Sequence, residues 1–454
     1  MSDLRGLPAI GTLLEHAAIK PLRASLDVGQ LAYVLREEVA AERARRLAGE
    51  APLDVDALAA KAVARVHELL RPRLRRVVNA TGVVINTNLG RSPLAPEALE
   101  RLLDVAGGYS NLEMDLTSGQ RGSRYVHVEE LLIRLTGAEA AVVVNNCAAA
   151  ILLITDTFAR GREVVVSRGQ LVEIGGSFRL PEVLEASGAR LVEVGTTNKT
   201  YLSDYERAIR PETGVLMLSH TSNFRIVGFT HEVDRRELAA LGRQTGVVTA
   251  EDLGSGLLVD LSQWQVPTEP TVQDSVAAGL DLVAVSGDKL MGGPQCGIVV
   301  GRRDLVERLK ANPMLRALRP DKLALAALEG TLRLYLDPAS VAERVPIMGM
   351  LARDVDDLKL AATLLAGHLQ HLDAEVVPGF SAVGGGTLPG VELPTWLVAL
   401  RVPEIGLDEL ARRLRTCEPA VVARIANDRL LLDPRTMLAD DPALVVEALR
   451  KALA

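Results

Sequence analysis

The chain has 454 residues, 48% hydrophobic and 24% charged, the balance of a soluble globular protein of two or three domains. A net charge of −7 speaks against a general nucleic-acid binder, and three cysteines (Cys147, Cys296, Cys417) without metal-ligand spacing exclude a disulfide framework and fit a reducing, cytoplasmic setting. No early segment reads as a secretory signal, and no apolar run is long enough to span a bilayer, so no membrane association is expected.

Residues 1–76 read as helical, with good helix formers throughout 31–49 and 55–70 and apolar residues at helical spacing (Leu58, Ala62, Val63, Val66, Leu69, Leu70). This head carries 13 Lys and Arg against 10 Asp and Glu, whereas the remainder carries 38 against 48, a weak sign of an anionic partner at the N-terminus. Arg36, Arg43 and Arg46 fall near one another on a helix surface, and Pro72 with Arg71, Arg73, Arg75 and Arg76 marks a junction. From Val77 to about Pro320 strands and helices alternate. Strands are expected at 140–144, 163–167, 190–195, 214–219, 246–253, 280–286 and 296–301, with helices at 148–158, 234–245 and from Asp304. This pattern predicts an α/β domain with a mostly parallel sheet and a ligand site beyond the carboxyl ends of its strands. From 321 to 454 a smaller α+β domain is expected, with helices at 323–336 and 348–369 and short strands at 396–401, 421–425 and 429–432.

The segment 283–295 carries the strongest chemical signal: an apolar strand ends in Ser286, followed by Gly287, Asp288, Lys289 and a glycine pair. A strand-end lysine among glycines can approach a ring-shaped cofactor closely, and Ser286 could donate to a cofactor phosphate. Another strand ends in Asp252, 37 residues upstream. Pyridoxal phosphate needs a carboxylate at its pyridine nitrogen, since a protonated ring is the better electron sink. By strand alternation the neighbouring Glu251 points to the other side. The turn Asn145–Asn146–Cys147 opens a helix of small residues, where backbone N–H groups and the helix dipole suit a phosphate. Each feature alone has an ordinary explanation, as a surface lysine, a salt bridge or a helix cap. Their order along the chain, phosphate turn then Asp then Ser-x-x-Lys, is far more specific.

That order resembles the aspartate-aminotransferase-like, type I pyridoxal-phosphate fold. More narrowly, segments 79–92, 109–113 with 119–124, 167–178, 193–198, 220–228 and 286–295 resemble the bacterial selenocysteine synthases, the L-seryl-tRNA(Sec) selenium transferases. The likeness extends to Gly384–Gly386 and to 424–433. It implies Lys289 as the Schiff-base lysine, Asp252 as the pyridinium partner, and Arg91, Arg316 and Arg319 as an anion clamp. Arg316 and Arg319, three apart, could face one side of a helical turn, and planar guanidinium forks suit phosphate. Arg168 and Gln170, just past a strand end, are placed near the ring.

The resemblance further implies conversion of seryl-tRNA(Sec) to selenocysteinyl-tRNA(Sec) through a dehydroalanyl-tRNA intermediate, with selenophosphate as donor and the clamp holding its phosphate. A homodecamer of five dimers, with sites shared between subunits, is the matching expectation, and the N-terminal helical domain is expected to bind the tRNA. Two rivals remain: a related lyase acting on a free amino acid or sugar acid, which would not need residues 1–76, and a non-catalytic binding protein on the same scaffold.

Overall fold

The computed structural model describes residues 6–174, 178–403 and 405–454. Positions 175–177 of the 167–178 segment and residues 1–5 of the helical head lie outside the described residues. The chain divides into two compact units, one up to Arg76 and one from Val77 onward.

In the first unit two helices, α1 (Val28–Leu47) and α2 (Val55–Leu70), carry most of the structure. Asp27 and Asp54 cap them, their carboxylates accepting from Gly29 N and Ala57 N, which satisfies donors that a helix start leaves open. Leu13, Leu31, Leu35, Leu58, Ala62 and Val66 form its core. Arg36 and Arg43 are exposed, but Arg46 is buried. Its guanidinium meets the buried Glu42 carboxylate at 2.8 Å and donates to Leu53 O at 3.0 Å. Arg46 therefore fastens the loop between the two helices and does not belong to the exposed arginine face that the sequence predicts.

The second unit is built on a seven-stranded sheet: β1 (Ala140–Val144), β2 (Glu163–Ser167), β3 (Arg190–Val194), β4 (Thr213–Ser219), β5 (Val248–Gly254), β6 (Leu282–Ser286) and β7 (Gly297–Gly301). The spatial order is β1-β7-β6-β5-β4-β2-β3. β7 runs antiparallel to both neighbours, and the remaining pairs are parallel. All but β3 are buried essentially along their length, which is why they appear in the sequence as continuous apolar runs. The register places Ser219 beside Asp252. The carboxyl ends of β1, β4, β5 and β6 thus come together on one edge. From the end of β1 the chain enters α3 (Cys147–Ala159), capped by Asn146, whose side chain accepts from Ala149 N at 2.8 Å.

A five-stranded sheet completes this unit. Its central hairpin joins β8 (Ala374–Gly384) to β9 (Thr387–Leu400). The expected strand at 396–401 is the end of this much longer β9, and β8 has no counterpart in the sequence reading. The short strand Val83–Ile85 pairs in parallel with β8, and Val77–Asn79 pairs with Ala420–Val422. The first segments after Arg76 therefore pack with the C-terminal part of the chain. The long helix expected over 348–369 is two helices, Pro346–Ala352 and Val355–His368, with Asp354 capping the second.

Candidate active site

At the carboxyl edge of the sheet lies a cavity of about 220 Å³, bordered by Arg91, Asn146, Cys147, Ala148, Val172, His220, Ser222, Asp252, Leu253, Gly254, Ser286, Lys289 and Gln295. Lys289 and Asp252 are both buried, 6% and 9% exposed. The point where a Cβ on Gly254 would stand is 3.6 Å from Lys289 Nζ and 3.7 Å from Asp252 Oδ1. Amine and carboxylate therefore flank one small space, which the missing side chain keeps open; Gly254 has φ +69°.

Burial pushes the Asp252 carboxyl above the usual carboxylate range, opposed by the nearby Lys289 charge and by the Cys147 thiol. Cys147 Sγ lies 3.6 Å from Asp252 Oδ1. Burial first, then the Asp252 charge, drives that thiol well above its ordinary value, so it is an un-ionised S–H donor. A buried carboxylate held by one weak donor is suited to a cationic partner in the cavity.

Arg91 follows Gly90 and is itself left-handed, φ +65°, a conformation uncommon outside glycine. It is held there by Arg91 N donating to Asn86 O at 2.9 Å. Its Nη1 donates to Asp288 Oδ2 at 2.7 Å, and Ser286 Oγ donates to Asp288 Oδ1 at 2.9 Å. Asp288 is thus the acid that ties Arg91 to the lysine segment, and the Ser286 hydroxyl is committed to it. Asn146, Cys147 and Ala148 bring the first turn of α3 to the cavity wall, where a helix start favours an anion.

Three predicted residues lie off this wall. Asn145 is exposed, with its backbone N bonded to Leu318 O at 2.9 Å, and borders a neighbouring groove. Gln170 is buried, but its amide oxygen accepts from Ser219 N at 3.0 Å, which braces the end of β4. Arg168 is exposed and paired with Glu193. Val172 takes the wall position expected of these two. Sequence reasoning also passed over His220, Ser222 and Asp288; all three fall inside segments that carry the family resemblance, and none has a local signature.

Arg316 and Arg319 border a different pocket of about 330 Å³, with Glu113, Arg121, Arg124 and Lys310. Glu113 is its one carboxylate: Arg124 Nη2 reaches it at 2.5 Å, Arg121 at 2.8 Å and Arg319 at 3.5 Å. The hydrogen bond from Arg124 holds its carboxyl below the usual range. Arg316 is exposed, and its side chain makes no ion pair or hydrogen bond among the described residues.

The strand order, the site at the carboxyl edge and the buried lysine–aspartate pair define a type I pyridoxal-phosphate enzyme. The solved structure of D-glucosaminate-6-phosphate ammonia-lyase shares this fold, with a TM-score of 0.56 at 21% identity over 84% of this chain and 96% of that one. Residues 77–438 match the family model described as L-seryl-tRNA selenium transferase. The L-seryl-tRNA(Sec) selenium transferase of Desulfomicrobium baculatum is 52% identical over 94% of this chain and 92% of its own length. The enzymes of the same name from Solidesulfovibrio magneticus and Geobacter sulfurreducens are 51% and 49% identical, over 98% and 99% of this chain and 96% and 99% of their own lengths. The chain belongs to the L-seryl-tRNA selenium transferase family.

Proposed function

We propose that the protein converts L-seryl-tRNA(Sec) to L-selenocysteinyl-tRNA(Sec), taking selenium from selenophosphate in the cytoplasm. The observation that carries this reading is the buried pair of Lys289 and Asp252 around one cavity in a chain of this family. When bound, pyridoxal phosphate supplies an electron sink conjugated to the substrate α-carbon. Lys289 would hold it covalently, Asp252 would hold a proton at the ring nitrogen, and the first turn of α3 would receive the phosphate. The Lys289 amine would take the serine Cα proton. The Cβ–O bond breaks and water leaves; selenium then bonds to Cβ. Cleavage of the donor's P–Se bond consumes one water, so the net change replaces hydroxyl by selenol and yields phosphate.

Arg91, Arg316 and Arg319 would clamp the donor phosphate. Within one chain Arg316 and Arg319 do not border the Lys289 cavity, so such a clamp would draw them from a second copy. A homodecamer of five dimers is the family-based assignment, and the exposed apolar side chains of Leu103, Tyr109, Met114, Leu116 and Val126 support burial against another subunit. We further assign residues 1–76 to tRNA binding, 77–320 to catalysis and 321–454 to a smaller accessory domain. Exposed Arg36 and Arg43 would contribute backbone contacts to the RNA.

Incubation with serylated tRNA(Sec) and selenophosphate, followed by analysis of the aminoacyl group, tests the assignment. Selenocysteine on the tRNA is expected; unchanged serine on it overturns the reading. A protein lacking residues 1–70 is expected to keep its cofactor and lose tight, salt-sensitive tRNA binding.

A further inference from the structure

The tip of the β8–β9 hairpin comes close to Ser222 and Lys289, two residues that line the cavity. Gly384, Gly385 and Gly386 all have positive φ, 77°, 63° and 73°. A Cβ on Gly386 would stand 3.3 Å from Ser222 Oγ and 3.7 Å from Lys289 Nζ. The backbone can pass this close to the lysine amine because it carries no side chain. Leu388, two residues on, is buried and also left-handed, φ +47°. Such a conformation in a leucine persists only where its surroundings impose it.

The turn closes itself, Thr387 Oγ1 donating to Gly384 O at 2.7 Å. What ties it to the cavity wall is one oxygen of a distant acid. Glu269 Oε2 accepts from Leu388 N at 3.3 Å and lies 3.0 Å from His220 Nε2. A carboxylate oxygen offers only lone pairs, so Nε2 carries the proton in this contact. His220 borders the cavity, and its backbone N donates to Asp252 O at 2.9 Å. Glu269 is only 7% exposed, and its other oxygen has no hydrogen-bond partner among the described residues. A buried, half-satisfied carboxylate is a costly way to fill space.

We propose that Glu269 is a positioning residue that latches the glycine tip beside Lys289, joining Leu388 and His220 through a single carboxylate oxygen. The inference rests on the reading of Lys289 as the cofactor lysine and deepens it. The aminoacyl ester must enter the space beside the Lys289 amine, and the latched tip fixes the size of that space.

The test uses the full-length, cofactor-loaded protein and its Glu269→Ala and Glu269→Gln variants. Hydrogen exchange of the 384–390 segment is read alongside cofactor absorbance and turnover of seryl-tRNA(Sec). Glu269→Ala is expected to keep the cofactor, to raise exchange in this segment about tenfold and to lower kcat about tenfold. Glu269→Gln keeps an acceptor oxygen and is expected to return both readouts to within about threefold of the parent. Should Glu269→Ala fail to fold, Glu269→Leu, which cannot accept a hydrogen bond, takes its place. Unchanged exchange in the variant without an acceptor, or a Gln variant as impaired as the Ala variant, overturns the latch. The exchange readout needs no substrate. A parent inactive toward seryl-tRNA(Sec) whose segment still responds in this way overturns the proposed function and leaves the latch standing.

Discussion

The two pockets that carry most of the predicted site residues hold charge in opposite ways. Around Lys289 the ionisable groups are few and mostly buried: Asp252 and Asp288 are 9% and 5% exposed, and Arg91 is spoken for by Asp288. Around Glu113 four arginines and a lysine surround one acid, and the Arg316 side chain has no partner there among the described residues. In the first pocket low solvent access magnifies each charge, so a proton can be held or moved at a chosen atom. In the second the surplus of guanidinium groups faces water, which suits capture of an anion more than chemistry on it. If the two meet in one catalytic centre, the buried pocket should govern chemistry and the open one donor capture.

The largest expected effect tests the buried pocket. Lys289→Ala should lower turnover by about 10³-fold or more, and borohydride should trap the cofactor on Lys289 in the parent protein. Peptide mapping that finds the cofactor on another lysine would remove the centre of the comparison. Asp252→Asn comes next: it should retain cofactor and lose about 10²-fold in kcat, because the ring nitrogen loses its ionised partner. Near-normal kcat would move that role to another acid.

The open pocket should respond in binding. Arg316→Ala or Arg319→Ala should raise KM for selenophosphate about tenfold, the usual loss for one charge-assisted hydrogen bond, with cofactor absorbance unchanged. If instead cofactor affinity falls and donor KM stays, the two pockets do not divide the work as described.

The sequence made one side of this comparison much plainer than the other. All seven strands of the central sheet were readable, the six buried ones because such strands are written as continuous apolar runs between turns. Lys289 and Asp252 followed from their places at strand ends. β8 escaped because Pro378 and Gly379 interrupt it, and such residues argue against a strand; its long pairing with β9 overrides them. Asp288 stood in view, but its partner Arg91 is 197 residues away, and His220 and Glu269 are 49 apart. Contacts of that separation leave no local pattern. Nor does spacing alone reveal that Arg46 turns inward to Glu42 while Arg316 stays in water.

The smallest expected effect concerns the cost of the buried pocket when no cofactor is present. Burial raises the Asp252 carboxyl above its ordinary value, more strongly than Lys289 and Cys147 lower it. A group whose folded value is raised binds its proton more tightly in the folded state. Its contribution to stability is present below the unfolded value and is lost as pH rises through the folded one. Above that folded value the apoprotein therefore bears the cost of a buried charge that Asp252→Asn removes. The cofactor-free variant should melt about 1–3 °C above the cofactor-free parent at pH 7. The difference should shrink as pH falls and Asp252 takes up its proton, which burial makes it do above the ordinary carboxylate range. With cofactor loaded, a ring N–H would partner the carboxylate and the order should reverse. Thermal melts of both proteins, with and without cofactor across that pH range, check the sign. An apo variant less stable than its parent would mean that Lys289 and Cys147 already satisfy Asp252, and that the cavity was not built around a missing positive charge.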